Sequence, residues 1–189
     1  MKKYLISLFL AILVFEIGVS VNAKNFNISL KEESFDVTVN SKSVPWNPLI
    51  NKSKDFSFKT KKRDTQASPT ILKVKSGDNL TIQYVFGDVY ADWKGYPKRK
   101  TDADGYPKII KTYLGRLPSY YISDKINHMA LIGTFANSKG VIVGSPFFIG
   151  NGPVNLVVPE GAAQLQLGIN DNLFRDNSGL FIVKVNISN

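Results

Sequence analysis

Hydrophobic and polar positions alternate in many short segments of this chain, a pattern typical of β-strands with one buried face. Apolar side chains occupy every second position from Ala163 to Ile169 and again from Phe181 to Ile187. No segment keeps its apolar residues at the spacing of an amphipathic helix. Because such alternation suits two packed antiparallel sheets, we predict an all-β, antiparallel, jelly-roll-like β-sandwich.

Glycines and prolines separate the remaining strand-like segments. Further strands are predicted at residues 35–39, 71–75, 80–84, 129–135, 141–143, 146–149 and 154–158. Their number and spacing are those of a sandwich. Residues 26–30 also alternate, so together with residues 35–39 they predict an extra N-terminal hairpin.

The N-terminus has the pattern of a secretory signal peptide. Two lysines precede an apolar run from Tyr4 to Val14, and small residues lead up to Ala23. A membrane anchor would need about 20 apolar residues, whereas Glu16 interrupts this run. We expect cleavage after Ala23, a secreted or periplasmic location, and no membrane span in the mature chain.

The mature chain divides by composition. Residues 51–68 are polar and poor in apolar side chains. We therefore assign residues 1–23 to the signal peptide, 24–67 to the N-terminal hairpin and linker, and 68–189 to the sandwich.

Composition limits the chemistry further. Cysteine is absent, which excludes disulfides and attachment of lipid to a cysteine. There is one histidine and no Gly-x-Ser-x-Gly or zinc pattern, so we predict no enzyme. Loss of the signal peptide removes two lysines and one glutamate, and the formal charge falls from +9 to +8. This excess favours an anionic cell-surface component as a partner; nucleic acid is not expected for an exported protein.

One long segment, residues 87–127, is predicted to be an aromatic-rich loop. It contains a near-repeat, Asp92 to Lys98 and Asp102 to Lys108, with Tyr-Pro in each copy. Trp93, Tyr96 and Tyr106 are candidates for stacking on the apolar face of a sugar ring. Packing of Trp93 into the core and stiffening of turns by the Tyr-Pro pairs are the alternatives.

The loop between the last two predicted strands is rich in oxygen-bearing side chains. They are Asn170, Asp171, Asn172, Asp176, Asn177 and Ser178, closed by Gly179. Asn, Asp and Gly are ordinary turn residues, but clustered carboxylate and amide oxygens are also the ligands that Ca²⁺ prefers. The pattern leaves a turn and a calcium site open.

Four segments together resemble a known family. They are Gly77 to Ile82, Met129 to Gly133, Asn137 to Gly140 and Gly168 to Val185. In this order they resemble the PA-IL-like (LecA-like) bacterial galactose-binding lectins and related galactose-binding-like modules of bacterial glycoside hydrolases. The resemblance covers residues 70–187 and implies a β-sandwich that holds sugar hydroxyls on a calcium ion at the end of its sheets.

The resemblance also implies a set of calcium ligands. Asp171 and Asn177 match two of its side-chain ligands, and the carbonyl of Tyr90 matches one main-chain ligand. Asp176 takes the place of an asparagine ligand of the family, a change that would add negative charge and strengthen calcium binding. A carbonyl of Leu173 or Phe174 would complete the set. We group Asn170, which adjoins Asp171, with the ligand-binding candidates.

The sugar-contacting part of the family departs from this chain. The His-Pro segment of the family's long loop is absent, and His128 directly precedes a predicted strand. We therefore expect an exported, non-catalytic carbohydrate-binding protein whose specificity differs from the family's galactose. The alternative is an exported interaction module with a structural calcium ion, and the oligomeric state stays open.

Overall fold

Eight β-strands and one 3-10 turn make up the regular structure of the part of the chain that the computed structural model describes, residues 32–51, 68–91, 100–106, 126–171 and 174–189. The strands are β1 (Glu32–Asn40), β2 (Thr70–Lys73), β3 (Asn79–Ala91), β4 (Leu131–Ala136), β5 (Ile142–Phe148), β6 (Val154–Val157), β7 (Gln164–Ile169) and β8 (Asn177–Ser188). They form two antiparallel four-stranded sheets, with orders β1-β8-β3-β6 and β2-β7-β4-β5. The all-β sandwich predicted from the sequence is thus confirmed.

The core lies between the two sheets and follows the predicted alternation. Phe181, Val183 and Val185 of β8 are fully buried, as are Leu165 and Leu167 of β7. Each such side chain contributes about 1.5–3 kcal/mol by leaving water. On β8, burial of every second residue from Phe181 to Ile187 fixes the register, because a shift by one residue would expose all of these side chains. On β7, Gln166 and Gly168 are buried as well, so this strand is covered on both faces.

Strand β3 continues beyond its predicted end. The register of β3 against β8 shifts between Tyr84 and Phe86, so Val85 is an extra residue that forms a β-bulge. Pairing then resumes and runs to Ala91. The bulge interrupts the alternation of apolar and polar residues, so the sequence pattern predicts that the strand ends there. As a result, the first residues of the predicted loop 87–127 belong to β3.

The segment after β1 crosses from one sheet to the other. We call residues 41–51 the strap. The main-chain N–H of Ile169 donates to the carbonyl of Ser43 at 2.9 Å, and Trp46 is only 1% exposed. At the far end, the Asn51 side chain accepts from the N–H of Ile142 and donates to the carbonyl of Gly140, both at 3.0 Å.

Residues 32–51, which the sequence placed in an N-terminal hairpin and linker, are therefore integral to the sandwich. β1 pairs with β8 along nine residues, and the strap packs on the second sheet. The first strand of the predicted hairpin, residues 26–30, lies outside the described residues. In the described ranges, no helix is long and apolar enough to cross a membrane.

Candidate functional site

Most of the predicted calcium ligands lie at the same end of the sandwich. β7 ends at Ile169 and β8 begins at Asn177, so both lie at this end. Tyr90 is opposite Ser178, and Ala91 is opposite Asn177, in the β3–β8 pairing. Phe174 and Asp176 bound the 3-10 turn that leads directly into β8. The topology thus brings Tyr90, whose main-chain carbonyl is a predicted ligand, and the loop between β7 and β8 to the same end.

Asp171 is a buried carboxylate with a defined partner. It is 2% exposed, and its Oδ1 lies 2.7 Å from Nε2 of the buried His128. Burial of a carboxylate is unfavourable unless it is hydrogen-bonded, so His128 offsets part of this penalty. The residue after His128, Met129, has a φ of 64°, a conformation that side chains other than glycine adopt infrequently. This turn directs the chain from His128 into β4.

Tyr106 packs against His128, the partner of Asp171. Its ring is stacked on His128, with centroids 6.1 Å apart, and its main-chain N–H donates to the carbonyl of His128 at 2.8 Å. Burial raises the pKa of the Tyr106 hydroxyl, and the negative charge of Asp171 acts in the same direction, while a hydrogen bond with the backbone of Ala91 lowers it. At 5% exposure, this ring belongs to the packed interior rather than to an open face for a sugar.

Two asparagine side chains at this end present buried oxygens. Nδ2 of Asn170 donates to the carbonyl of Asn127, and Nδ2 of Asn177 donates to the carbonyl of Ser41, each at 3.0 Å. Within the described part of the chain, the Oδ1 atoms of both asparagines are buried without a hydrogen-bond partner, and so are the hydroxyls of Ser41 and Ser178. An unsatisfied buried polar group costs about 1–3 kcal/mol, so such a group commonly marks the place of a water or ion.

The kinds of oxygen atom at this end limit which metal ion they could hold. Within the described ranges, no group of three or more His, Cys, Asp or Glu side chains is placed to hold a metal ion. A metal at this end would therefore draw on amide and main-chain oxygens in addition to carboxylates. Calcium accepts such mixed oxygen shells, whereas zinc sites are built from nitrogen and sulfur ligands with occasional carboxylates.

Other predicted site residues fall outside the described part of the chain. Leu173, Trp93 and Tyr96 lie in residues 172–173 and 92–99. Two residues at this end were not singled out as site residues by the sequence, His128 and Ser41. Neither has a local signal, because each acts through a contact with a residue more than 40 positions away.

Comparison with known proteins gives matches among solved structures. No protein-family model matches the chain, and no curated protein matches it. Among solved structures, the chain is similar to one described as "EclA N-terminal domain; PllA-like lectin", with 18% identity, a TM-score of 0.44, and coverage of 82% of this chain and 95% of that chain. A likeness of this extent assigns no ligand to this chain.

Proposed function

We propose that this protein is an exported, non-catalytic carbohydrate-binding protein that holds one calcium ion at the end of the sandwich. The observation that carries the proposal concerns the amide oxygens of Asn170 and Asn177, which lie at the same end of the sandwich as the buried carboxylate of Asp171. Within the described residues, both oxygens are buried without a hydrogen-bond partner. A cation or an ordered water is a common way in which such buried oxygens are satisfied.

Each proposed ligand would contribute a different kind of oxygen to the calcium site. Asp171 and Asp176 supply negative charge, Asn177 supplies an amide oxygen, and main-chain carbonyls of Tyr90 and of Leu173 or Phe174 complete the shell. His128 holds the carboxylate of Asp171 in place. When bound, calcium would offer open positions for neighbouring hydroxyls of a sugar.

Recognition of the sugar ring requires apolar contact beside the ion. Trp93 and Tyr96 are proposed for this role, because aromatic faces stack on the apolar side of a pyranose ring. Tyr106 is assigned instead to the support of His128, since its ring is buried against the imidazole. Asn170 is fully buried, which suits contact with the ion better than contact with a bulky sugar.

Calcium titration by calorimetry on residues 24–189 tests the proposal, followed by a glycan array with and without chelator. We expect one ion per chain, and loss of binding in Asp171→Ala. Asp36→Ala is the matched control, because Asp36 is an exposed carboxylate on β1, away from this end. No calcium binding by the wild type, or equal binding by Asp171→Ala, would overturn the metal site; calcium binding without any glycan would overturn the carbohydrate assignment.

A second candidate function is an interaction module that binds a protein, with calcium in a structural role. The outer face of the first sheet favours it, since Phe86 is 60% and Leu180 is 37% exposed on adjacent strands. Exposed apolar residues that are contiguous on a sheet commonly mark a protein contact. Replacement of Phe86 by serine would abolish such a contact and leave glycan binding unchanged.

A further inference from the structure

The strap makes a direct contact with a candidate calcium ligand. The carbonyl of Ser41 accepts a hydrogen bond from Nδ2 of Asn177 at 3.0 Å, and this bond is buried. The N–H of Ser41 donates to the carbonyl of Gly179 at 3.0 Å. The strap therefore holds the first residues of β8 through both a side chain and the main chain.

The contact with Ser41 fixes the direction of the Asn177 oxygen. A side-chain amide is planar, with a donor nitrogen and an acceptor oxygen on opposite branches. A half-turn of this amide would place its oxygen against the carbonyl oxygen of Ser41, where two acceptors repel. The bond thus selects the orientation in which Oδ1 points away from the strap, and that atom is buried without a hydrogen-bond partner among the described residues.

The strap also holds the other half of the candidate site. The carbonyl of Ser43 accepts from the N–H of Ile169 at 2.9 Å, one residue before Asn170 and two before Asp171. The main chain of Val44 and Pro45 lies directly on Gly168, where a Cβ atom would collide with it. One short segment is therefore bonded to the beginning of β8 in one sheet and to the end of β7 in the other.

We infer that the strap is a positioning element of the calcium site. Its residues do not belong to the predicted ligand set, and they lie outside residues 70–187, yet they set the distance and orientation between Asn177 and the Asp171 loop. This inference rests on the proposed function. Calcium affinity then depends on residues that never contact the ion. Residues that orient metal ligands in this way typically change affinity roughly 10- to 100-fold when altered.

Gly168→Ala tests the inference, because the added methyl group would displace Val44 and Pro45 and leaves every candidate ligand unchanged. Calcium affinity would be measured by calorimetry well below the unfolding temperature, with urea unfolding in chelator to record stability. We expect calcium to bind at least about 10-fold more weakly. Val185→Ala is the control: this buried β8 residue lies far from Asn177 along the strand, so it should lower stability and leave the calcium Kd unchanged.

Asn51→Ala provides a second, milder variant should Gly168→Ala not fold. It removes only the hydrogen bonds that hold the far end of the strap to Gly140 and Ile142. If the wild type binds calcium and the folded strap variants bind it with the same Kd, the strap is structural only and the inference is overturned, while the calcium site stands. If the wild type binds no calcium, the proposed metal site and the inference both fail.

Discussion

At the scale of single residues, hydrogen bonds between buried polar groups define this end of the sandwich. Asp171 is paired with His128, Asn170 with the carbonyl of Asn127, and Asn177 with that of Ser41. Buried polar groups of this kind are stabilising only when they are satisfied. The site is therefore expected to respond strongly to changes that remove one donor without reducing the size of the side chain.

His128→Leu removes the imidazole that donates to Asp171 and replaces it with an apolar side chain of similar size. We expect the free energy of unfolding to fall by about 1–3 kcal/mol, because the buried carboxylate loses a hydrogen bond. Urea unfolding in the presence of chelator measures this loss. His128→Gln keeps a donor and should recover part of the stability; equal losses in the two variants would contradict a hydrogen-bonding role for His128.

The raised pKa of Tyr106 predicts that the folded protein loses stability at alkaline pH. Burial, and secondarily the charge of Asp171, raise its pKa above the ordinary value of 10.0. Above that pH the unfolded chain releases the phenolic proton more readily than the folded chain does, so the free energy of unfolding falls as pH rises. Unfolding followed from pH 8 to pH 11 should show a shallower decline for Tyr106→Phe than for the wild type. Parallel curves would show that Tyr106 does not contribute.

At the scale of elements, β8 organises the first sheet because it pairs with both β1 and β3. Its inward residues are fully buried, while Leu180 and Lys184 face outward. Phe181 contacts the ring of Tyr84 edge-on, with centroids 5.7 Å apart. This alternation was clear in the sequence. A strand in a sheet with one buried and one solvated face has apolar and polar side chains at alternate positions.

Adjacent residues of β8 should therefore differ sharply on mutation. Phe181→Ala is expected to lower the free energy of unfolding by about 3–5 kcal/mol, since it leaves a cavity in the core. Leu180→Ala, one residue away and facing outward, should change it by less than about 0.5 kcal/mol. Chemical denaturation of both variants measures the difference, and similar losses would contradict the described register of β8.

At the scale of the whole molecule, calcium would link the two sheets, because its proposed ligands come from the ends of β3 and β7 and the start of β8. A ligand that binds only the folded chain stabilises it by mass action. At calcium concentrations of about 100 times Kd, we expect the Tm to rise by roughly 5–10 °C for a domain of this size. Differential scanning calorimetry with calcium and with chelator checks this, and an unchanged Tm would contradict binding at the proposed site.

Salt and chelator separate the two kinds of partner for the whole molecule. Attraction to an anionic surface of a chain with a formal charge of +9, or +8 after the predicted cleavage, is screened by salt. Calcium-mediated binding of a neutral glycan should persist in about 0.5 M salt, where the Debye length is only a few ångströms, and should disappear with chelator. Binding that follows salt and ignores chelator would favour the anionic surface.

The sequence by itself determined the fold class, most of the strands and the acidic loop before β8. Each of these depends on a local pattern, namely alternation along a strand or turn residues between strands, and such a pattern is visible without knowledge of neighbours. The extension of β3 was missed because the bulge at Val85 is stabilised by pairing with β8 and not by its own sequence.

Only the tertiary structure decided which distant residues support the candidate site. His128 lies beside Asp171, Ser41 lies beside Asn177, and the ring of Tyr106 is buried against His128. These contacts arise because strands far apart in the chain end at the same edge of the sandwich, so their partners depend on sheet order and register. The physical reason is that burial and hydrogen bonding are properties of the packed chain, whereas alternation is a property of each strand alone.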